Sequence, residues 1–214
     1  MAARRISGTE GYAEEAEKLV RQYELPSFAE LHSQILHLIP TVPGRVLDIG
    51  AGTGRDAAAL AARGHSVVAV EPTAALREKA TVLHPSPAIE WLDDSLPELA
   101  QVTARGETFE LILLTAVWMH LDAVQRRAAM PRVAGLLQPS GVLILSLRHG
   151  PVPPGRRMFD VTAAETVELA QVQDLGLVLQ HENQDRFFRR PDVSWTRLAF
   201  SKAAETSSPS PSFV

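Results

Sequence analysis

The chain has 214 residues, 45% of them hydrophobic, with a formal net charge of −4 and no cysteine. This length fits one domain with a sizeable core, and the lack of cysteine excludes disulfides, cysteine metal sites and thiol catalysis. The net negative charge argues against a general nucleic-acid binder, although local basic patches stay open. No apolar run follows Arg4 and Arg5 or has the length of a membrane span, so we expect a cytoplasmic protein without a signal peptide or a membrane partner.

Two helices are predicted before the main domain, near residues 10–24 and 28–39. A capping box of Ser27 and Glu30 begins the second helix. Tyr12 belongs to a set of apolar and aromatic residues at helical spacing, which indicates core packing and leaves a ligand contact open. The two ends of the chain, residues 1–9 and 203–214, are predicted to be disordered.

The stretch after residue 44 predicts a nucleotide-binding turn. Residues 46–49 form an apolar run, three alternating glycines follow, and an alanine-rich segment of high helix propensity comes next. Strand, glycine turn and helix open a doubly wound βαβ unit, which binds ligands beyond the carboxyl ends of its strands. Glycine permits positive φ and lets a ligand approach the backbone, while the helix directs free N–H groups at the turn.

The glycine spacing discriminates between nucleotides. A dinucleotide site requires G-x-G-x-x-G, but Arg55 stands where that pattern needs its third glycine, and no G-x-x-x-x-G-K-[ST] phosphate loop occurs. Glu71 ends the next apolar run, seventeen residues after Gly54, where a carboxylate can accept hydrogen bonds from both ribose hydroxyls. The alternative is a generic Rossmann turn with an incidental glutamate.

The run Asp48-x-Gly50-x-Gly52-x-Gly54 resembles the first motif of the class I S-adenosylmethionine-dependent methyltransferases. The resemblance covers residues 44–148 well and the flanks loosely. It implies an α/β fold with a Rossmann-like, doubly wound, mostly parallel seven-stranded sheet of order 3-2-1-4-5-7-6 and helices on both faces. It also implies a helical lid at residues 10–40, a core at 41–202 within a single domain 1–214, S-adenosylmethionine as cofactor and S-adenosylhomocysteine as its product.

The resemblance further implies which residues contact the cofactor. The family places an acidic side chain after the third strand against the adenine amino group, which favours Asp93 or Asp94 here, with Leu96 against the ring; the other aspartate would cap the next helix. The predicted cofactor-binding residues are Asp48, Gly50, Ala51, Gly52, Gly54, Arg55, Asp56, Glu71, Pro72, Asp93, Asp94, Ser95, Leu96, Thr115, Ala116, Val117 and Tyr12.

The predicted fourth strand is residues 109–114. The segment that follows this strand borders both the cofactor and the methyl acceptor in this family. Families that methylate amide or exocyclic nitrogens often carry Asn/Asp-Pro-Pro-Tyr/Phe there, and residues 115–121 lack that motif. The segment instead resembles the small-molecule branch, in which a histidine or an aromatic residue follows. His120 is therefore the catalytic candidate as a general base, or else a cap for the helix that begins near Asp122.

The later part of the chain continues the alternation of helices and strands. A capping box of Thr162 and Glu165 is predicted to begin the last helix, and Gly176 is predicted to end it. The remaining predicted helices are 73–83, 122–137 and 163–175, and the remaining predicted strands are 65–70, 88–91, 142–147, 177–183 and 193–200.

Two groups of arginines follow the fifth strand and separate the last two strands. In the implied sheet order both groups lie beside the acceptor mouth, where guanidinium groups bind carboxylates and phosphates. The alternative is a solvated basic rim in which arginines pair with Asp160, Asp185 or Asp192. The predicted substrate-binding residues are Trp118, His120, Arg148, His149, Arg157 and Arg186.

These observations predict a methyltransferase for a small anionic metabolite, acting on oxygen or nitrogen. The alternatives are a tRNA or protein methyltransferase, a non-catalytic S-adenosylmethionine-binding regulator and, more distantly, a nicotinamide oxidoreductase. No metal is expected, because His120 and His149 are isolated and no ligand spacing is present. The oligomeric state is left open.

Overall fold

The fold is built on a seven-stranded sheet of order β3-β2-β1-β4-β5-β7-β6, as predicted. The computed structural model describes residues 6–204. The strands are β1 (Arg45–Ile49), β2 (Ser66–Val70), β3 (Ile89–Leu92), β4 (Phe109–Leu114), β5 (Leu137–His149), β6 (Leu175–Gln184) and β7 (Ser194–Lys202). The helices are α1 (Ala16–Tyr23), α2 (Phe28–Leu31), α3 (Arg55–Ala61), α4 (Ala74–Leu83), α5 (Ala100–Ala104), α6 (Ala123–Leu136) and α7 (Ala163–Gln171).

The first five strands are parallel, and β7 is antiparallel to both β5 and β6. Successive side chains of a strand point to opposite faces, so Val46 and Leu47 enter different cores. One core holds Leu47 with Val133 of α6, and the other holds Val46 with Leu60 of α3. Helices on both faces explain why the central strands are apolar throughout.

The N-terminal cover, residues 6–34, is less helical than predicted. Helix α1 begins at Ala16 because Gly11 takes a positive φ of 76°, which a helix starting near residue 10 would not allow. The capping box of Ser27 and Glu30 is confirmed, but α2 ends at Leu31. The next residue, His32, leaves helical geometry and turns its ring into the interior of the protein. Residues 6–9, predicted to be disordered, line a cavity instead; residues 1–5 and 205–214 lie outside the described residues.

Two boundaries in the later part of the chain differ from the predictions. Helix α6 ends at Leu136, one residue before the predicted end. Strand β5 begins at Leu137, five residues before the predicted start, because Leu137 already pairs with Phe109 of β4. Gly176 lies within β6 and does not end α7; the turn is made by Asp174 with a positive φ of 57°. The predicted capping box is only half formed. The hydroxyl of Thr162 accepts the N–H of Glu165, but the carboxylate of Glu165 binds Arg126 and not the N–H of Thr162. Across residues 6–204, no helix is both long enough and apolar enough to cross a membrane.

Candidate active site

A cavity of about 660 Å³ lies at the carboxyl ends of β1, β2 and β4, beneath the N-terminal cover. Its floor is formed by the segments 48–53, 70–73 and 115–117, which directly follow or end these strands. Pockets of this size hold small molecules and cofactors. Ligands of doubly wound sheets bind at this edge, so the cavity is the candidate active site.

The glycine turn after β1 shapes one wall of the cavity. The N–H groups of Gly50 and Ala51 donate to the carbonyl of Val70, at 2.8 and 2.9 Å, which fixes the turn to the end of β2. Gly52 has a φ of 58°, and a Cβ placed there would find no atom closer than 3.9 Å. The missing side chain of Gly52 therefore leaves open space beside the turn.

Glu71 is the first residue after β2 and is almost fully buried. One carboxylate oxygen accepts the N–H of Gly52 at 2.9 Å, and the other accepts the N–H of Thr73 at 2.7 Å. Each oxygen keeps a second lone pair for a ligand hydroxyl. Burial raises the pKa of Glu71 above its ordinary value.

Asp48 of β1 and Asp56 of α3 form a buried acidic pair. Burial and the nearby charge of Asp56 raise the pKa of Asp48. Oδ2 of Asp48 is buried and has no hydrogen-bond partner within residues 6–204. An unpaired buried acceptor beside a cavity is costly unless a ligand donor satisfies it.

A polar network holds Asp56 in its ionised form. Its carboxylate accepts hydrogen bonds from Nε2 of His32 at 2.8 Å, from Nε of Arg55 at 2.9 Å and from the hydroxyl of Thr115 at 2.9 Å. Burial opposes ionisation, but His32 and Arg55 outweigh it and lower the pKa of Asp56. Arg197 donates to Nδ1 of His32, so His32 carries its proton on Nε2. This network joins the N-terminal cover, α3 and β7 beside the cavity.

His120 lies in the short 3₁₀ turn after β4 and is mostly buried. Its Nδ1 lies 2.8 Å from the carbonyl oxygen of Arg157, which accepts but cannot donate, so Nδ1 bears the proton. Nε2 therefore accepts the hydrogen bond of the Tyr12 hydroxyl at 3.0 Å. Burial lowers the pKa of His120 and raises the pKa of Tyr12, which keeps both groups neutral.

The far side of the cavity is lined by arginines from the end of β5 and from the segments after β5 and β6. Arg148, Arg156, Arg186 and Arg190 all line it. Arg156 pairs with Glu15, and its guanidinium carbon lies 4.2 Å from the centroid of the Tyr12 ring. Arg190 pairs with Asp185 at 2.5 Å, whereas Nε of Arg148 is buried with no partner in the described part of the chain.

Comparison with known proteins assigns the family. A family model described as a methyltransferase domain matches residues 20–188, which is most of the chain. The chain belongs to the class I S-adenosylmethionine-dependent methyltransferases. The family, the enzyme class and the cofactor predicted from the glycine motif are thereby confirmed.

Two relatives show how far the similarity of this methyltransferase extends. An uncharacterized methyltransferase of Oceanobacillus iheyensis is 26% identical over 182 residues, which span 85% of this chain and 78% of that protein. An uncharacterized methyltransferase of Mycobacterium bovis is 32% identical over 113 residues, which span 50% of this chain and 40% of that protein.

Solved structures share the fold at low sequence identity. The 1,6-didemethyltoxoflavin-N1-methyltransferase of Burkholderia thailandensis, crystallised with 1,6-didemethyltoxoflavin and S-adenosylhomocysteine, has a TM-score of 0.70 and 21% identity, covering 90% of this chain and 85% of that chain. The N-methyltransferase NodS of Bradyrhizobium japonicum has a TM-score of 0.68 and 19% identity over 89% and 97% of the two chains. The [4+2]-cyclase SpnF, with a TM-score of 0.70 and 12% identity over 91% and 94%, shows that the fold alone does not specify the reaction.

Most predicted cofactor residues of the methyltransferase line the cavity, and Asp93 is one of two that do not. Asp93 lies outside the cavity and binds Arg77 at 3.0 Å. Asp94 lines the cavity, and its carboxylate accepts four main-chain N–H groups, three of them from the first turn of α5. The helix-capping role therefore belongs to Asp94. Gly54 also lies off the cavity lining, as the left-handed residue before α3.

Three predicted substrate residues do not reach the cavity. Trp118 is fully buried in the core, His149 binds the hydroxyl of Thr196 at 2.8 Å, and Arg157 stacks 4.6 Å from the centroid of Phe159. The capping alternative for His120 was also wrong, since Asp122 and Gln125 form the capping box of α6. His120, Arg148 and Arg186 do line the cavity.

Several residues in or beside the cavity carried no signal in the sequence. His32 and Arg197 are 165 positions apart, so nothing local indicates their pairing. Trp195 and Phe188 follow no motif, although they border the arginines that were singled out. Among residues 6–204, no cluster of three potential metal ligands occurs. Independence from metal stays a prediction, which a chelator added to the methyl-transfer assay tests.

Proposed function

We propose that this methyltransferase transfers the methyl group of S-adenosylmethionine to a small anionic metabolite, at an oxygen or a nitrogen atom. The observation that carries the proposal is Arg148: its Nε is buried at the cavity with no partner among residues 6–204. A guanidinium group with an unused buried donor is suited to a carboxylate or phosphate group.

The residues of the other half of the cavity fit the cofactor. Gly52 leaves open space at the turn, Oδ2 of Asp48 lacks a donor among residues 6–204, and Glu71 presents two carboxylate oxygens. Glu71 would hold the ribose hydroxyls, the turn of Gly50 and Gly52 would hold the methionine part, and Leu96 would pack on the adenine ring. When bound, the cofactor supplies a methyl group on a positively charged sulfur.

The protein contributes position and the exclusion of water. The N-terminal cover closes the cavity through Tyr12 on His120 and through the ion pair of Arg156 with Glu15. Holding two reactants in line removes much of the entropic barrier of a displacement reaction. The cover also keeps water from competing with the acceptor.

His120 is proposed as the group that takes a proton from the acceptor where the acceptor atom carries one. Its Nε2 is the acceptor nitrogen of a neutral imidazole, and burial keeps its pKa low enough for that form at neutral pH. This nitrogen accepts the hydrogen bond of the Tyr12 hydroxyl, and that bond must give way for Nε2 to take the proton of the acceptor. A carboxylate that is itself methylated would not need this step, because it carries no proton at neutral pH.

The proposal is tested by methyl transfer from radiolabelled S-adenosylmethionine to a panel of small carboxylic and phosphonic acids, with bulk tRNA and a protein extract as the competing acceptors. We expect turnover of small acids, and at least tenfold loss of kcat/KM in Arg148→Ala and Arg186→Ala with cofactor affinity unchanged. Arg132→Ala is the matched control, because Arg132 is exposed on α6 and away from the cavity.

Two results would contradict the proposal. Normal turnover in both cavity-arginine variants would remove the anion site, and labelling of tRNA that falls steeply with salt would indicate a polyanion instead. A protein that binds the cofactor but methylates no member of the panel, tRNA or extract would favour the regulatory alternative.

A further inference from the structure

We call the part of the cavity that is lined by Arg148, Arg156, Arg186 and Arg190 its acceptor half. Aromatic side chains lie beside the arginines in this half. Arg148 of β5 is directly opposite Trp195 of β7 in the antiparallel pairing of these strands. Directly opposed residues project to the same face, with their Cβ atoms about 5 Å apart. Both residues line the cavity, so a guanidinium group and an indole ring are presented side by side.

The loop between β6 and β7 repeats this combination. The guanidinium carbon of Arg190 lies 5.0 Å from the centroid of the Phe188 ring, and both residues line the cavity. Phe187 lines it as well and is 39% exposed. Exposed aromatic surface in a concave site is typical of a wall that a ligand covers.

The cavity also has an apolar and adaptable part of its lining. Met119, Met158 and Val117 line the cavity and pack on the larger core. Methionine is unbranched and polarizable, and it makes favourable contacts with aromatic rings. A flat apolar body therefore finds suitable contacts on more than one side.

The guanidinium group of Arg148 keeps an unused donor, whereas that of Arg190 is already paired. Arg190 is paired with Asp185 at 2.5 Å. Arg148 donates a long 3.3 Å bond to the carbonyl of Gly150, while its Nε is buried with no partner within residues 6–204. Burial, and then the charge of Arg190, lowers the pKa of Arg148, so its site is short of negative charge.

The aromatic wall, formed by Trp195, Phe187 and Phe188, is separate from the place expected for the adenine ring. Glu71 follows β2 and Leu96 follows β3, on one side of the central strands, whereas Trp195 belongs to β7 on the other side. The rings of this half are therefore available to the methyl acceptor.

We infer that the acceptor is a planar aromatic carboxylate, with its ring against Trp195 and Phe188 and its carboxylate on Arg148. The inference rests on the proposed function and narrows its substrate class. An aromatic ring gains stacking energy on an indole that a saturated ring of equal size does not gain. A phosphate or a short aliphatic acid would satisfy Arg148 but would leave the rings uncovered.

The test is calorimetric titration of benzoate, cyclohexanecarboxylate, benzamide and inorganic phosphate into the protein saturated with S-adenosylhomocysteine. We expect benzoate to bind roughly 2- to 10-fold more tightly than cyclohexanecarboxylate, from stacking. Benzamide and phosphate should bind more weakly than benzoate. Trp195→Leu should abolish the preference for benzoate over cyclohexanecarboxylate, and Arg148→Gln should abolish the preference over benzamide.

Controls keep each outcome decisive. Unchanged affinity for S-adenosylhomocysteine shows that a variant is folded, and Phe188→Leu provides a second removal of a ring in case Trp195→Leu fails to fold. If benzoate binds no more tightly than cyclohexanecarboxylate or phosphate, the inference of an aromatic acceptor is wrong, whereas the proposed anion site at Arg148 is still supported. Binding of none of the anions overturns the anion site as well, and failure to bind S-adenosylhomocysteine overturns the cofactor assignment.

Discussion

The hydroxyl of Tyr12 donates a hydrogen bond to Nε2 of His120 across 3.0 Å, joining two residues 108 positions apart in the chain. Tyr12 belongs to the N-terminal cover, and His120 follows the central strand β4. The bond therefore closes the cover over the cavity, and the guanidinium group of Arg156 supports the Tyr12 ring from its face. The state of the cover and the state of the catalytic candidate are coupled through this contact.

Tyr12→Phe should weaken the binding of S-adenosylhomocysteine. The variant keeps the ring on Arg156 but leaves Nε2 of His120 without its donor, at a cost of about 1 kcal/mol or more to the closed cover. Calorimetry should show a roughly fivefold or greater loss of affinity. Glu17→Gln is the control, because its ion pair with Lys79 also belongs to the cover but is exposed, and such pairs contribute little. Wild-type affinity in Tyr12→Phe would show that the bond does not hold the cover closed.

Gly52→Val should abolish cofactor binding while the protein still folds. The branched side chain would fill the open space beside the glycine turn. The positive φ of Gly52 also strains any residue with a Cβ, by roughly 1–2 kcal/mol. Gly106→Val is the matched control, since Gly106 has a φ of 64°, is exposed and has no atom within 4 Å of the added Cβ. Comparable loss of cofactor affinity in both variants, read by calorimetry, would assign the effect to instability alone.

Glu71→Gln should weaken cofactor binding by on the order of 1–3 kcal/mol, through loss of charged acceptors for the ribose hydroxyls. In the unmodified protein, affinity should fall as the pH drops through the pKa of Glu71, because the protonated carboxyl group accepts less well. Burial raises that pKa, so the fall begins at a higher pH than for an ordinary glutamate. Titrations between pH 5 and pH 8 measure both effects, with exposed Glu78→Gln as control. A pH-independent affinity in the unmodified protein would refute the assignment.

His32→Gln should reduce the dependence of stability on pH. Burial lowers the pKa of His32, so the unfolded chain takes up this proton at a higher pH than the folded protein does. The contribution of His32 is therefore complete above the ordinary histidine pKa of about 6.5 and is lost as the pH falls from there toward the lowered folded value. Chemical denaturation at several pH values measures it, with exposed His37→Gln as the control. Parallel stability curves for wild type and His32→Gln would contradict this account.

The sheet order followed from the resemblance of the glycine motif to the methyltransferase family, whereas the strands around the glycine turn were predictable from local patterns. Apolar runs mark the buried parallel strands, and the glycine turn with Glu71 is legible from spacing alone. The sequence left open which of Asp93 and Asp94 caps the next helix, because the two are adjacent and only the fold shows that Asp94 binds the first N–H groups of α5. Neighbouring acidic residues carry no information about which one points inward.

The acceptor half was only partly predictable, since its contacts join residues far apart in the chain. The arginines were identified as a group, but the structure separates Arg148, which lines the cavity, from Arg157, which stacks on Phe159. Trp195 faces Arg148 only through the register of two antiparallel strands. His32 reaches Asp56 because α2 ends early, and propensity alone favours a longer helix there.

The most direct test of the account is a crystal structure of the protein with S-adenosylhomocysteine and benzoate. The account predicts the ribose hydroxyls on Glu71, the amino acid part beside Gly52, and the benzoate carboxylate on Arg148 with its ring against Trp195. A nucleoside bound elsewhere, or a benzoate absent from the arginine-lined half while S-adenosylhomocysteine is in place, would contradict it.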